Sequence, residues 1–271
     1  MMGTAPERPD ISSKTNPIVK DILALRRSAR RRRDEGLSLV EGFKILKLAL
    51  DAGCTPAAVL YDKLLTDEDR NELERARSLG ATVRAVTADV LTKVSAREGP
   101  LGCVASVRVK ETSLDDIRLT QPPLLVVMEG LEKPGNLGSL ARTASAGGAN
   151  ALLATDSQTD VFAPATVHAS LGSVFDLPVV RCSTDEAIQW LGDAAIKIVA
   201  ASPDADCAYF DVDLTGPIAL AIGNEHRGLS DEWFSAGIRV RIPMHGPMNS
   251  LNATVAGGIV LFEALRQRAA T

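Results

Sequence analysis

Three polar stretches in the second half of the chain carry the side chains best suited to chemistry. The first reads Glu129-Gly130-Leu131-Glu132-Lys133-Pro134-Gly135-Asn136-Leu137-Gly138 and runs on to Arg142. Asn136 is suited to cap a following helix, and an arginine about two turns along it can grip a phosphate or carboxylate bidentately. Taken alone, the stretch equally suits a capped helix with a solvent-facing arginine. The second is Gly223-Asn224-Glu225-His226-Arg227-Gly228-Leu229-Ser230. It has the outline of a phosphate loop, but Leu229-Ser230 stands where an NTPase needs Lys followed by Ser or Thr. Its two glycines and asparagine permit left-handed backbone and close approach of a ligand. The third is Ile242-Pro243-Met244-His245-Gly246-Pro247-Met248-Asn249-Ser250-Leu251-Asn252. There a strand ends at a proline, the chain turns through Gly-Pro, and Asn249 or Ser250 is expected to start the last helix.

Other chemistries are poorly supplied. His168, His226 and His245 are the three histidines, in no H-x-x-x-H spacing, and Cys54, Cys103, Cys182 and Cys207 form no C-x-x-C pair, so no metal is expected. The four thiols are expected to be buried and reduced. No G-x-S-x-G elbow occurs, and no G-x-G-x-x-G follows a strand, which argues against a serine hydrolase and a Rossmann dehydrogenase.

The elements that must position these loops follow from apolar patterning. Continuous apolar runs at 124–128, 151–154, 196–201 and 218–222 predict strands covered on both faces, and 238–242 adds a fifth that alternates with Arg239 and Arg241. Helices are predicted over 137–146, 163–171 and 185–191, the last opened by a Ser183/Glu186 capping box. The final helix carries Leu251, Val255, Ile259, Phe262 and Leu265 at helical spacing on one face. A mostly parallel, doubly wound α/β sheet results, and ligands of such sheets sit beyond the carboxyl ends of the strands. Residues 38–110 alternate short strands with helices, including a Thr66/Asp69 capping-box start, and predict a smaller α/β domain. The boundaries expected are a basic segment at 1–37, that domain at 38–110, a polar linker at 111–123 ending in Gln121-Pro122-Pro123, and the larger domain at 124–271.

Taken together, the loops are no longer generic. Pro134-Gly135-Asn136-Leu137-Gly138 followed by Arg142-Thr143-Ala144, then Ile222-Gly223-Asn224-Glu225 with Gly228-Leu229-Ser230, then Ile242-Pro243-Met244 with Ser250-Leu251-Asn252-Ala253, resemble the three signature motifs of the SpoU/TrmH RNA 2'-O-ribose methyltransferases of the SPOUT superfamily, in order and spacing. Asn16-Pro17 with Lys20, and Leu39-Val40-Glu41-Gly42-Phe43, more weakly resemble that family's ribosomal-protein-like substrate-binding domain. The resemblance implies a C-terminal trefoil-knotted methyltransferase domain, an exception to unknotted topology. It also implies S-adenosyl-L-methionine as cofactor and a homodimer through the knotted domain. Cofactor contacts would fall around Ala201, Gly223, Ile242, Met244 and Leu251, and catalytic positions at Asn136, Arg142, Glu225, Ser250 and Asn252. A guanidinium releases its proton only far above neutral pH, so Arg142 suits holding the target phosphate and stabilising a developing alkoxide better than acting as a base.

The chain has 271 residues and a formal net charge of -4, with 4% aromatic residues. As an average, that charge argues against a nucleic-acid partner. It is unevenly spread. Lys20, Arg26, Arg27, Arg30, Arg31, Arg32 and Arg33 face Asp21 alone over 20–33, a local +6 that leaves -10 to the rest. Consecutive arginines spread around a helix rather than lining one face, which favours an extended or loosely helical RNA-binding arm. The expected activity is 2'-O-methylation of ribosomal RNA. The alternatives are a transfer-RNA enzyme, an antibiotic-resistance rRNA methyltransferase, and a non-catalytic RNA-binding or ribosome-assembly protein. The start of the chain is polar, without the apolar core of a secretory signal, and no run approaches ~18 apolar residues, so a cytoplasmic protein off the membrane is expected.

Overall fold

Asn16 opens the first helix by accepting a hydrogen bond from the Ile18 amide at 3.0 Å, with Pro17 in the first turn where its missing N–H costs nothing. In this computed structural model the described residues are 9–63, 66–96, 99, 101–224, 227–248 and 250–270. The chain forms two units, one of Met1–Lys110 with Asp160–Asp176 and one of Glu111–Thr159 with Leu177–Thr271.

The first unit begins with α1 (Pro17–Arg27) and α2 (Ala29–Glu35), and continues as β1 (Leu37–Glu41), α3 (Phe43–Asp51), β2 (Thr55–Tyr61), α4 (Asp67–Ser78), β3 (Thr82–Ala85), α5 (Ala88–Val94) and β4 (Cys103–Arg108). The four strands form a mixed sheet in the order β1-β4-β2-β3, with only β2 and β3 parallel. The Thr66/Asp69 capping box of α4 is present in both directions, at 2.8 and 3.2 Å. The basic segment differs from expectation. It is helical rather than extended, two helices whose apolar Val19, Ile22 and Leu25 join Leu60, Leu91 and Val104 in the core, so it packs with the domain that follows. Gly36, at φ 61, ends α2 in the left-handed conformation that glycine reaches without strain.

The second unit continues with β5 (Leu124–Glu129), α6 (Pro134–Ala146) and β6 (Ala151–Thr155). The chain then crosses back: α7 (Pro164–Ala169) packs with the first unit, though it lies within the stretch read from sequence as the larger domain. Within that unit the Arg32 guanidinium donates to Asp160 through two nitrogens at 3.0 and 2.7 Å and to the Leu25 carbonyl at 2.5 Å. Ser38 donates to the Phe162 carbonyl at 3.0 Å. Gly172, at φ +91, lies so close to α3 that a Cβ would sit 3.2 Å from Ile45.

The chain returns with β7 (Val179–Cys182), α8 (Thr184–Asp193), β8 (Lys197–Ala201), β9 (Ile218–Ile222), α9 (Asp231–Ala236), β10 (Ile238–Val240) and α10 (Ala253–Ala269). The sheet is wholly parallel, in the order β10-β8-β9-β5-β6-β7. All six residues of β5 are buried, as a continuous apolar run requires. Strand β7 was not predicted, since four residues of mixed character carry no usable period.

Residues 111–123 are not a free linker. Glu111 pairs with Arg181 at 2.8 Å, and Leu114, Ile117 and Leu119 pack on the core of the second unit. Apolar spacing inside a polar stretch was the overlooked signal. On α10 the buried residues are Ala253, Gly257, Val260, Leu261 and Ala264, whereas Val255 and Phe262 are each 51% exposed. Gly257 lets α10 approach Leu140 of α6, and of the face read from sequence Val255 and Phe262 turn outward while Leu251, Ile259 and Leu265 are half-buried. Of the cysteines, all free, only Cys103 is buried and the other three are half-buried. Burial pushes the Cys182 thiol up to about 11. Among the described residues no helix is long and apolar enough to cross a membrane.

Removing one partner of a buried ion pair strands the other. With side chains 7% and 15% exposed, the Arg32–Asp160 pair meets that condition. Arg32→Ala is expected to destabilise the first unit by about 3 kcal/mol, seen as an earlier urea transition. An unchanged midpoint would show the pair to be dispensable.

Candidate active site

The loop after β9 is shaped first by its glycine. At Gly223 an added Cβ would lie 2.0 Å from the Gly228 carbonyl carbon and 2.2 Å from the Leu229 nitrogen, so no other residue fits without moving the loop. The loop closes on itself as the Gly228 amide donates to the Asn224 carbonyl at 2.8 Å. It is also tied to the loop after β5. The Asn224 side chain donates to the Gly130 carbonyl at 2.8 Å, and the Ser230 amide donates to Glu129 Oε2 at 2.7 Å. Glu129 is buried and accepts a second bond at Oε1 from the Thr184 hydroxyl, at 3.0 Å. Two further hydroxyls, of Ser157 and Thr159, both donate at 2.7 Å to the Leu131 carbonyl and hold the start of the first loop.

These ties frame a cavity of about 380 Å³ at the carboxyl ends of β8 and β9 and beyond β10. All five residues expected at the cofactor, Ala201, Gly223, Ile242, Met244 and Leu251, line it, and so does Ser250. Sequence reasoning omitted other lining residues: Ser202 and Asp204 beyond β8, Leu229 and Phe234 around α9, and Ala253 and Ala256 on α10. The rule that ligands sit past strand ends pointed to the first pair. The rest come from elements distant in sequence and carried no local signal. Glu129 and Asn224 stood inside the motifs but were not assigned roles.

The remaining expected residues are placed as follows. Asn252 caps α10, its side chain accepting from the Thr254 amide at 3.0 Å and the Val255 amide at 3.4 Å, so the last helix starts there and not at Ser250; Asn249 lies outside the described residues. Asn136 lies within the first turn of α6, whose cap is Lys133 with Pro134 following, so it is not the cap residue. Arg142 is exposed on α6, the helix that packs on α10 through Leu140 against Gly257 and Thr143 against Gly258. Neither Asn136 nor Arg142 lines the cavity. Glu225 lies outside the described residues.

The cavity fits S-adenosylmethionine in size and lining. Its volume lies in the range of small-molecule sites. Apolar Ile222, Leu229, Ile242 and Leu251 suit an adenine ring, Ser202, Asp204 and Asn224 supply polar partners, and the missing side chain at Gly223 lets backbone approach a ligand. Among the described residues no group of His, Cys, Asp and Glu is placed to hold a metal ion. Gly223→Ala is expected to lower affinity for S-adenosylmethionine by at least about 100-fold, since the 2.0 Å clash must displace the loop. Calorimetric titration checks this, and wild-type affinity in the variant would remove Gly223 from the site.

Comparison with known proteins agrees with this arrangement. The SpoU rRNA Methylase family model matches residues 123–262, and the MRM3-like substrate binding domain model matches residues 16–105. The chain is 36% identical over 258 residues to the 23S rRNA (uridine(2479)-2'-O)-methyltransferase of Streptomyces viridochromogenes, covering 90% of this chain and 88% of that one. It is 34% identical to the 23S rRNA (guanosine-2'-O-)-methyltransferase RlmB of a Burkholderia species, covering 86% and 97%. Among solved structures, an AdoMet-bound rRNA methyltransferase from Sinorhizobium meliloti superimposes with a TM-score of 0.87 at 34% identity, over 94% of this chain and 97% of that one. The SpoU methyltransferase AviRb of Streptomyces viridochromogenes, in complex with AdoMet, gives 0.85 at 34% identity, over 94% and 100%. With its three motif loops gathered at the carboxyl ends of a parallel sheet, the chain belongs to the SpoU rRNA methylase family.

Proposed function

We propose that this protein is a cytoplasmic S-adenosylmethionine-dependent methyltransferase that modifies a ribose 2'-hydroxyl of 23S ribosomal RNA and works as a homodimer. The observation that carries the reading is the single cavity lined by Ala201, Gly223, Ile242, Met244 and Leu251 together with Ser250. Relatives whose names specify 2'-O-methylation of 23S rRNA support the substrate class. S-adenosylmethionine, when bound, supplies a methyl group already activated on a sulfonium.

The chain's own residues then have to bring the RNA hydroxyl into line and favour loss of its proton. Gly223 and the apolar walls hold the cofactor, and the loops after β9 and β10 with α10 close around it as the knot. Arg142 holds the phosphate beside the target ribose and stabilises the developing alkoxide, a role that fits its exposed guanidinium. Asn136 and Glu225 orient Arg142, Ser250 contacts the ribose, and Asn252 fixes the start of α10. Support for the dimer lies in the outward apolar side chains of the same unit: Ile238 at 47% exposure, Val255 and Phe262 at 51%, and Met248 at 66%. Large apolar side chains left exposed become an interaction face where they adjoin, and a second copy of the chain is the occupant proposed.

Arg142→Ala is expected to reduce methyl transfer to RNA by at least about 100-fold while affinity for S-adenosylmethionine stays at the wild-type value. Incorporation of labelled methyl groups and calorimetry read the two quantities separately. Normal turnover by the variant would overturn the assignment.

A further inference from the structure

The first unit contains a larger cavity, about 840 Å³, that the reaction does not use. Its described lining includes four cations, Lys14, Arg26, Arg32 and Lys93, against one carboxylate, Asp89, and no aromatic ring. The cations differ in availability. Arg32 is consumed by Asp160 and by backbone carbonyls and makes the floor rigid. Arg26 donates to the carbonyls of Lys93, Val94 and Ser95 and thereby joins α1 to the end of α5. Lys93 is exposed and forms no ion pair among the described residues. Lys14 meets Asp89 at 3.4 Å with side chains 51% and 84% exposed, a surface pair of little net worth that a phosphate can displace.

Lining chemistry decides the ligand class. Without aromatic rings the cavity offers nothing for bases to stack on, whereas fixed cations with the Thr92 hydroxyl and small apolar walls suit a ribose-phosphate backbone. The outer face of the basic run is partly neutralised, with Lys20, Arg27 and Arg33 left exposed. Arg30 is paired with Asp34, and Arg31 with both Asp21 and Glu35.

We propose that this cavity seats the RNA backbone, with Lys14 and Lys93 contacting phosphates above the rigid Arg26/Arg32 floor. The inference rests on the reading of the chain as an RNA methyltransferase and adds where its first unit grips the substrate. The test measures binding of in-vitro-transcribed 23S rRNA by the full chain over a range of salt. The variants are Lys14→Gln/Lys93→Gln and a control, Lys44→Gln/Lys63→Gln, with the same charge change elsewhere on the unit. The cavity variant is expected to bind about tenfold more weakly, with the slope of log affinity against log salt reduced by about 1 to 2. Its KM for RNA rises, its kcat at saturating RNA is kept, and its affinity for S-adenosylmethionine is unchanged. Wild-type affinity and slope in the cavity variant, or an equal loss in the control, would overturn the proposal while leaving the methyltransferase reading intact. A wild-type protein that neither binds nor methylates this RNA would overturn both.

Discussion

A buried carboxyl group at the end of the central strand is the constraint on which the methyltransferase unit depends. Glu129 closes β5, is 9% exposed, and receives the Thr184 hydroxyl and the Ser230 amide. Polar groups are costly to bury without partners, so these two bonds fix where α8 starts and where the loop after β9 hands over to α9. One residue along, the Gly130 carbonyl receives the Asn224 side chain. Three segments far apart in sequence are thus tied at one end of the sheet, and one of them, the loop after β9, lines the cavity through Gly223, Asn224 and Leu229.

Missing side chains do as much as present ones. Gly223 permits a backbone approach that any Cβ would block, and α10 lies close enough to α6 that a Cβ added at Gly257 or Gly258 would sit 3.0 Å from Leu140 or 3.4 Å from Thr143. The helix bearing Arg142 is therefore packed against the helix whose first residues line the cavity. On α10, Val260 and Leu261 are buried beside the small residues, while Val255 and Phe262 are left outward. A stripe that reads as core in a single chain thereby becomes a candidate contact face.

The basic run shows how charge can be divided by geometry. Seven cations over fourteen positions look alike in sequence, yet Arg32 is buried in an ion pair, Arg26 ties α1 to the end of α5, and Arg31 is neutralised by Asp21 and Glu35. Lys20, Arg27 and Arg33 stay exposed. Local charge density points to a polyanion partner, while which cations are buried and which stay exposed depends on which side of a helix faces the core.

What the sequence alone determined was what local rules encode. The parallel strands at 124–128, 151–154 and 218–222 follow from continuous apolar runs, the capping boxes at Thr66/Asp69 and Ser183/Glu186 from two reciprocal hydrogen bonds each, and five cavity residues from motifs that resemble a known family. Tertiary structure alone decided matters that turn on distant partners. The segment Asp160–Asp176 joins the first unit because Arg32 and α3 lie there to receive it, which no period in that segment reveals. Residues 111–123 pack on the second core, Asn252 caps α10, and α10 buries Gly257, Val260 and Leu261 rather than Val255 and Phe262 where it packs on α6 and β9. Periodicity says that a helix has an apolar face, but only a packing partner decides which face is buried.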